Sequence, residues 1–331
     1  MITVPTQLPE TPAAEVAGMT VLITGATGLI GSALVADRKA RGDRVVVLAR
    51  DVLAARALFG TQVLVYGDLA QIPTEMRVDA VINLAGAPTI GGLWTAARKR
   101  ELLGSRLAVT RQVLALIARQ ETTPTVLLSA SAVGFYGDRA EELVSEATGP
   151  EPGRFLSDLC RLWEVEASTA QALGVRVCLM RLGIVFDWRR GPLAMLALPA
   201  RFGLGMVMGD GAQRFPWIHL EDVVRAVDFA LAEPACAGPM NFTAPDDVTQ
   251  RQVAHAVAAS LHRPQWLSAP APILRTLLGD FSDLLLASQR AAPARLLALG
   301  FRFAQPDLAT ALRRETGSRP TPRPRPIRPE A

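Results

Sequence analysis

The segment Val21-Leu22-Ile23-Thr24-Gly25-Ala26-Thr27-Gly28-Leu29-Ile30-Gly31 carries the clearest chemistry in the sequence. An apolar run with strand character leads straight into three glycines, and an amphipathic helical pattern follows. Gly25 permits a tight turn, Gly28 lets the backbone approach a pyrophosphate, and Gly31 lets the helix pack closely on the sheet. Thr27, Leu29 and Ile30 complete the turn and the helix start, where backbone amides at the positive end of the helix dipole would cradle the phosphates. The chemistry implied is dinucleotide binding.

The residue that follows the second strand selects among dinucleotides. An NAD site usually holds the ribose 2′-hydroxyl with an acid about 20 residues past the last glycine. Here that position is Arg50. A guanidinium pairs with a 2′-phosphate in bidentate fashion, where an acid would repel it. The reading is therefore NADP(H), with NAD(H) the weaker candidate. The neighbouring Asp51 reads as the cap of the next helix.

Other side chains with chemical potential are scattered. His219 follows Phe215-Pro216-Trp217-Ile218 and precedes Glu221 and Asp222. It is a candidate acid or base near pH 7, or a histidine satisfied by local hydrogen bonds. His255 and His262 lie at a helix and its end and read as structural. The three cysteines, Cys160, Cys178 and Cys236, are odd in number and widely spaced. That pattern predicts buried thiols in a reducing compartment, a cytoplasmic location and no metal site. Lys99 reads as part of a solvated helix face.

These residues need a scaffold, and the pattern supplies one. From Met19 onward, short apolar runs alternate with helical stretches. Strands are predicted over 20–24, 44–49, 63–66, 79–84, 125–129 and 175–180. Helices are predicted over 28–41, about 93–118 and about 155–173. Strands alternating with helices imply a doubly wound parallel sheet covered on both faces, an α/β fold of the Rossmann type. After Phe186 the alternation breaks down. Helices over 221–232 and 249–261 then suggest a smaller C-terminal substrate lobe. The expected organisation is a flexible extension over 1–18 and a nucleotide-binding domain over 19–185 to which later segments return. The substrate lobe over 186–313 and a disordered Pro- and Arg-rich tail over 314–331 follow.

Composition excludes several other classes. The 331 residues are half hydrophobic, enough to bury a full core. The formal charge of +4 is modest and falls partly in the tail, with no basic stripe on one helix, so nucleic acid is not an expected partner. No apolar run of membrane-spanning length occurs, and the first residues lack a signal-peptide pattern. The expected partner is a small-molecule substrate, and the expected assembly a monomer or homodimer.

The spacing Gly-x-x-Gly-x-x-Gly resembles the short-chain dehydrogenase/reductase variant of the dinucleotide turn, especially its extended, epimerase-like branch. Gly67-Asp68-Leu69 after the third strand resembles that branch's adenine-contacting turn, which assigns Asp68 and Leu69 to the cofactor. Asn83-Leu84-Ala85-Gly86 resembles the turn against the cofactor ribose, which assigns Ala85 and Gly86 likewise. Reductases of this class normally use Tyr-x-x-x-Lys, in which the lysine lowers the tyrosine pKa. The only tyrosines, Tyr66 and Tyr136, have Ala70 and Ala140 in the lysine position. Where the family's helix should lie, Phe155 and Leu159 occupy the tyrosine and lysine slots.

That departure is itself a mark. Phe155-x-x-x-Leu159-Cys160-x-x-Trp163-Glu164 is similar to the atypical SDR39U1-like epimerase family, which lacks the pair. So are the loop Ser129–Asp138, Arg181-Leu182-Gly183-Ile184-Val185, the block Phe215–Asp222 and the segment Ser288–Leu296. The resemblance runs from about Met19 to Arg313. It implies Ser131 as the serine that polarises a substrate carbonyl, Tyr136 as a replacement phenol and Arg181 at the cofactor. It also sets Arg214 and Trp217 near an anionic substrate by analogy. The function implied is an NADP(H)-binding oxidoreductase or epimerase acting on a small molecule. A non-catalytic NADP(H) sensor or scaffold and a nucleotide-sugar epimerase or dehydratase are the alternatives.

Overall fold

The computed structural model describes residues 18–317. Of the flexible extension expected over 1–18 and the disordered tail expected over 314–331, residues 1–17 and 318–331 lie outside the described residues; 314–317, expected in the tail, instead continue a helix. The first half of the chain runs β1 (Thr20–Thr24), α1 (Leu29–Ala40), β2 (Arg44–Leu48), α2 (Val52–Phe59), β3 (Val63–Tyr66), β4 (Ala80–Asn83), α3 (Ala96–Arg119) and β5 (Val126–Ala132). It continues with β6 (Leu143–Val144), α4 (Phe155–Ser168), β7 (Arg176–Leu182) and β8 (Ile184–Phe186). The rest comprises α5 (Pro192–Arg201), β9 (Met206–Met208), β10 (Trp217–His219), α6 (Leu220–Ala232), β11 (Gly238–Phe242) and α7 (Gln250–Ser260). It ends with β12 (Leu267–Ala269), α8 (Ala271–Leu278), α9 (Asp283–Leu286), β13 (Arg290–Ala291), α10 (Ala294–Ala298) and α11 (Leu308–Gly317).

Seven strands form one parallel sheet in the order β11-β7-β5-β4-β1-β2-β3. The order reverses between β1 and β4, and ligands of doubly wound sheets bind at the carboxyl ends of the strands at that point. Both faces are dry. Val21, Ile23, Val45 and Val47 point toward the side covered by Leu34 and Val35 of α1 and Val223 and Val227 of α6. Leu22, Val46, Val81 and Leu127 alternate to the other side, under Val113, Leu116 and Ile117 of α3. This double burial is why the strands read as unbroken apolar runs rather than as alternation.

The sequence pattern expects six strands, and the seventh, β11, is a finding. Its opening Gly238-Pro239 resembles a loop, but β11 pairs only with β7 at the sheet edge, where a proline's missing N–H is tolerated. A separate cluster gathers Phe186, Leu193, Phe215, Trp217, Val253, Val257, Leu308 and Leu312. The Phe186 and Trp217 rings stack at its centre, with centroids 5.2 Å apart. Helix α7 opens on a capping box between Thr249 and Gln252 and closes with His262 in the left-handed region, at φ 55°.

Candidate dinucleotide site

The glycine turn is built as its spacing predicts. Gly25 has φ +68°, and a Cβ there would stand 2.8 Å from the carbonyl carbon of Leu84, so both conformation and contact require glycine. A Cβ at Gly31 would lie 2.3 Å from the Gly25 carbonyl oxygen and 2.7 Å from the Ala26 Cα. Gly28 differs, because a Cβ there would meet only the Gly25 oxygen, at 3.2 Å. Its smallness leaves space on the open side of the turn. Gly28 is the N-cap of α1 and offers no capping side chain, and the first helical turn contains no acid. That leaves the amide end of the helix suited to an anion. Leu29 and Ile30 pack against the sheet core, while Thr27 is exposed.

Thr24 ties this turn to its neighbour across the switch point. Its hydroxyl donates to Asn83 Oδ1 at 2.7 Å and accepts from the amides of Leu84 and Ala85 at 3.1 and 3.2 Å. Asn83 in turn donates to the Thr110 hydroxyl at 3.0 Å, which also accepts from the Trp163 indole at 3.1 Å. The chain Thr24–Asn83–Thr110–Trp163 holds the Ala85–Gly86 turn against α3 and α4. Nothing in the sequence singled out Thr24, Thr110 or Trp163 for this task.

On the other flank, β1 and β2 run in register from Thr20 and Arg44 to Thr24 and Leu48. Arg50, two residues beyond Leu48, therefore emerges beside the glycine turn. It is exposed and forms no ion pair or hydrogen bond with the described residues. Asp51 is otherwise engaged, accepting from the Ala54 amide at 2.9 Å as the cap of α2. Asp68 is exposed and caps a short 3₁₀ turn through the Ala70 amide, while Leu69 is buried beneath it. A further cation, Arg190, donates to the Ser32 hydroxyl at 2.7 Å, which brings the 187–191 loop onto the first turn of α1. Sequence reading gave no hint of Arg190, since its loop is distant from α1 along the chain.

Ser131 and Tyr136, expected at the reacting centre, and Arg181, expected at the cofactor, lie instead in a buried polar cluster. Ser131 and Arg181 are partners across β5 and β7, so they project to the same face. Ser131 donates to Glu164 Oε1 at 2.6 Å, and Arg181 grips both oxygens of the same carboxylate at 2.9 Å. Arg181 also donates to the Tyr136 hydroxyl at 3.0 Å, and that hydroxyl donates to Asn241 Oδ1 at 2.7 Å. Arg181 is 3% exposed and Tyr136 is 0% exposed.

The expectation that Arg181 contacts cofactor is therefore corrected: its donors are consumed by Glu164, Tyr136 and the Glu146 carbonyl. Tyr136 likewise has no face toward a ligand, and burial holds its phenol above the usual tyrosine range despite the adjacent guanidinium. Ser131, 2% exposed, has its proton on Glu164 rather than free for a carbonyl. Glu164 organises the cluster and was missed, because only the crossover to α4 brings it under Ser131.

The tyrosine and lysine slots are filled by hydrocarbon. Phe155 meets Trp94 edge-on at 5.3 Å, and Trp94 meets Phe281 at 5.5 Å. Leu159 is buried in the core. Lys99 is not merely solvated: it ion-pairs with Asp280 and lies 5.1 Å over the Phe155 ring. Arg214 pairs with Glu141 and Asp247, and Trp217 is fully buried, so neither takes the substrate-facing place suggested by analogy.

His219 caps α6, its Nδ1 accepting from the Glu221 amide at 3.2 Å, which matches the local-hydrogen-bond reading of this residue. It lines an open groove of about 1310 Å³ shared by Asp37, Trp188, Arg189, Arg201 and Arg225. That groove runs along the outer side of α1 and does not include the glycine turn. Among the described residues there is no cluster of three or more potential metal ligands.

A parallel sheet with its order reversing at β1/β4, and a glycine turn opening α1 there, define a nucleotide-binding α/β protein of the Rossmann type. Comparison with known proteins narrows this. Residues 21–241 match the NAD dependent epimerase/dehydratase family, and residues 269–315 match a domain of unknown function, DUF1731. The chain belongs to that epimerase family, in the two-part arrangement of the atypical SDR39U1-like proteins.

It is 36% identical over 304 residues to epimerase family protein YfhF of Bacillus subtilis, covering 92% of this chain and 100% of that protein. It is 36% identical over 301 residues to a chloroplastic SDR39U1 homolog of Arabidopsis thaliana, covering 89% and 86% of the two chains. The crystal structure of human epimerase family protein SDR39U1 (isoform 2) with NADPH superposes with TM-score 0.80 at 29% identity, covering 90% of this chain and 99% of that one. No helix among the described residues is long and apolar enough to cross a membrane.

Proposed function

We propose that this chain binds NADP(H) and acts as an oxidoreductase or epimerase on a small molecule. The observation that carries the reading is the exposed guanidinium of Arg50, unpaired among the described residues, beside a glycine turn whose helix start lacks both an acid and a side-chain cap. An NADPH-bound relative of the same fold supports it. The residues present fit such a group. The amides at the start of α1 would hold the diphosphate, Arg50 the 2′-phosphate, Asp68 and Leu69 the adenine, and Ala85 and Gly86 a cofactor ribose. Bound there, the cofactor supplies a hydride at C4 of the nicotinamide.

The chain's own part is to hold and orient the cofactor. The Ser131–Glu164–Arg181–Tyr136 cluster stiffens the strand ends beneath the site, and no phenol–lysine pair is present to exchange a proton. The proton of a carbonyl reduction therefore comes from water. The substrate-facing lobe is formed by the segments after Phe186 that gather in the Phe186–Trp217 cluster, whereas α6, β11 and the 291–301 segment pack on the main sheet. Three buried free thiols support a reducing, cytoplasmic setting.

The test is to incubate the protein with NADPH and a panel of carbonyl compounds and follow the absorbance of the reduced nicotinamide. Turnover with any of them supports the enzyme. Tight NADPH binding without turnover supports the second reading, a non-catalytic sensor or scaffold, which the Phe155–Trp94 packing in the tyrosine slot favours. A nucleotide-sugar substrate predicts that a sugar nucleotide raises the melting temperature, and no shift with any of them removes that reading.

A further inference from the structure

We propose that Arg106 makes this site hold the reduced dinucleotide more tightly than the oxidised one. The inference rests on the NADP(H) reading above. Arg106 lies on α3 and is 9% exposed. Its guanidinium is pressed against the turn after β4: a Cβ on Gly86 would stand 2.9 Å from its Cγ, 3.1 Å from its Cζ and 3.2 Å from its Nη1. Nη1 donates to the carbonyls of Leu102 and Ala87 at 2.8 and 3.1 Å, and the Cζ lies 5.2 Å from the Trp163 ring. The Nε is buried with no acceptor among the described residues.

No carboxylate among the described residues pairs with this cation. Arg181, similarly buried, shows the contrast, since Glu164 meets it at 2.9 Å. Glu164 is thereby spent and does not balance Arg106. The nearby Cys160 thiol does not balance it either, because burial pushes its pKa up to about 11 and it is neutral at pH 7. Burial and the like charge of Arg98 on the same helix press the Arg106 pKa below its ordinary value. The guanidinium nonetheless remains charged at neutral pH.

Placement gives this charge a consequence. Arg50 beyond β2 marks the adenosine end of the dinucleotide, and the start of α1 marks the diphosphate. The remaining half must cross the switch point toward β4 and β5, over the Ala85–Gly86 turn that rests on Arg106. The oxidised nicotinamide carries a positive charge and the reduced ring is neutral. An uncompensated cation beneath that turn penalises the oxidised ring alone.

The experiment is calorimetric binding of NADPH and NADP⁺ to the intact chain and to Arg106→Gln and Arg106→Lys. Wild type is expected to favour NADPH by roughly tenfold, the scale of one unit charge acting through an effective dielectric constant of about 20. Arg106→Gln should bring the two affinities within about twofold, chiefly by tightening NADP⁺, while Arg106→Lys keeps the preference. Equal wild-type affinities, or an unchanged ratio in Arg106→Gln, would overturn the proposal. Should Arg106→Gln not fold, the wild-type ratio together with Arg106→Lys decides. Absence of binding by either dinucleotide would overturn the NADP(H) reading and this inference with it, whereas tight but equal binding overturns the inference alone.

Discussion

Replacing Arg50 by alanine tests the contact proposed to distinguish NADPH from NADH. In the free protein the Arg50 side chain is exposed and has no partner among the described residues, so its removal breaks no contact of the fold. Stability should stay within about 0.5 kcal/mol of wild type, as for surface substitutions generally. With cofactor bound, a guanidinium fork makes two charge-assisted hydrogen bonds to the 2′-phosphate, each about 1.5–3 kcal/mol in a favourable setting. Exposure and salt reduce that sum, because the screening length is about 8 Å at physiological ionic strength. The expected outcome is a ten- to hundredfold loss of NADPH affinity, on the order of 1.4–2.8 kcal/mol. NADH affinity should change by no more than about twofold, since its 2′-hydroxyl does not need the cation. Titration of both dinucleotides by calorimetry at two salt concentrations measures this, and the NADPH loss should shrink at the higher one. Parallel weakening of NADPH and NADH, or no weakening of either, would refute the assignment of Arg50 and with it the preference for NADP(H).

Other outcomes follow from the same geometry. Gly31→Ala places a Cβ 2.3 Å from the Gly25 oxygen and should lower stability by about 1–3 kcal/mol, seen as a depressed melting temperature. Gly28→Ala meets only an oxygen at 3.2 Å and should melt near wild type yet lose dinucleotide binding; retention of binding would show that the phosphates lie elsewhere. Tyr136→Phe leaves Asn241 and Arg181 each short of a partner in the core and should cost about 1–3 kcal/mol. In an alkaline titration followed by phenolate absorbance, the step removed by that substitution should lie above pH 10.0, because burial raises the Tyr136 pKa. The native state then holds this proton longer than the unfolded chain, so wild-type stability falls relative to the variant as pH rises past about 10. A step at or below pH 10.0 would contradict the burial of Tyr136. Cys160, Cys178 and Cys236 are buried, with the first two pushed to about 11 and about 12, so a thiol reagent at pH 8 should react with them only after denaturation.

Read from the sequence alone, the strand β1, the turn from Gly25 to Gly31, the helix α1 and the position of Arg50 were all available, because each is decided within a few residues. A buried strand needs an apolar run, a turn with φ +68° favours glycine, and a side-chain cap needs a short acceptor such as that of Asp51. The absence of a tyrosine–lysine pair was equally plain. The fates of Ser131, Tyr136 and Arg181 were not, and neither was the existence of β11. Whether a polar side chain at a strand end faces a ligand or an internal partner depends on which helix crosses beneath it, and here α4 brings Glu164 under Ser131 and Arg181. The isolation of Arg106 and the pairing of Asn241 with Tyr136, 105 residues apart, likewise arise only when distant elements pack. Local backbone chemistry therefore set the glycine turn, while the low dielectric and fixed crossovers of the packed core determined which charges are paired and which are left without a partner among the described residues.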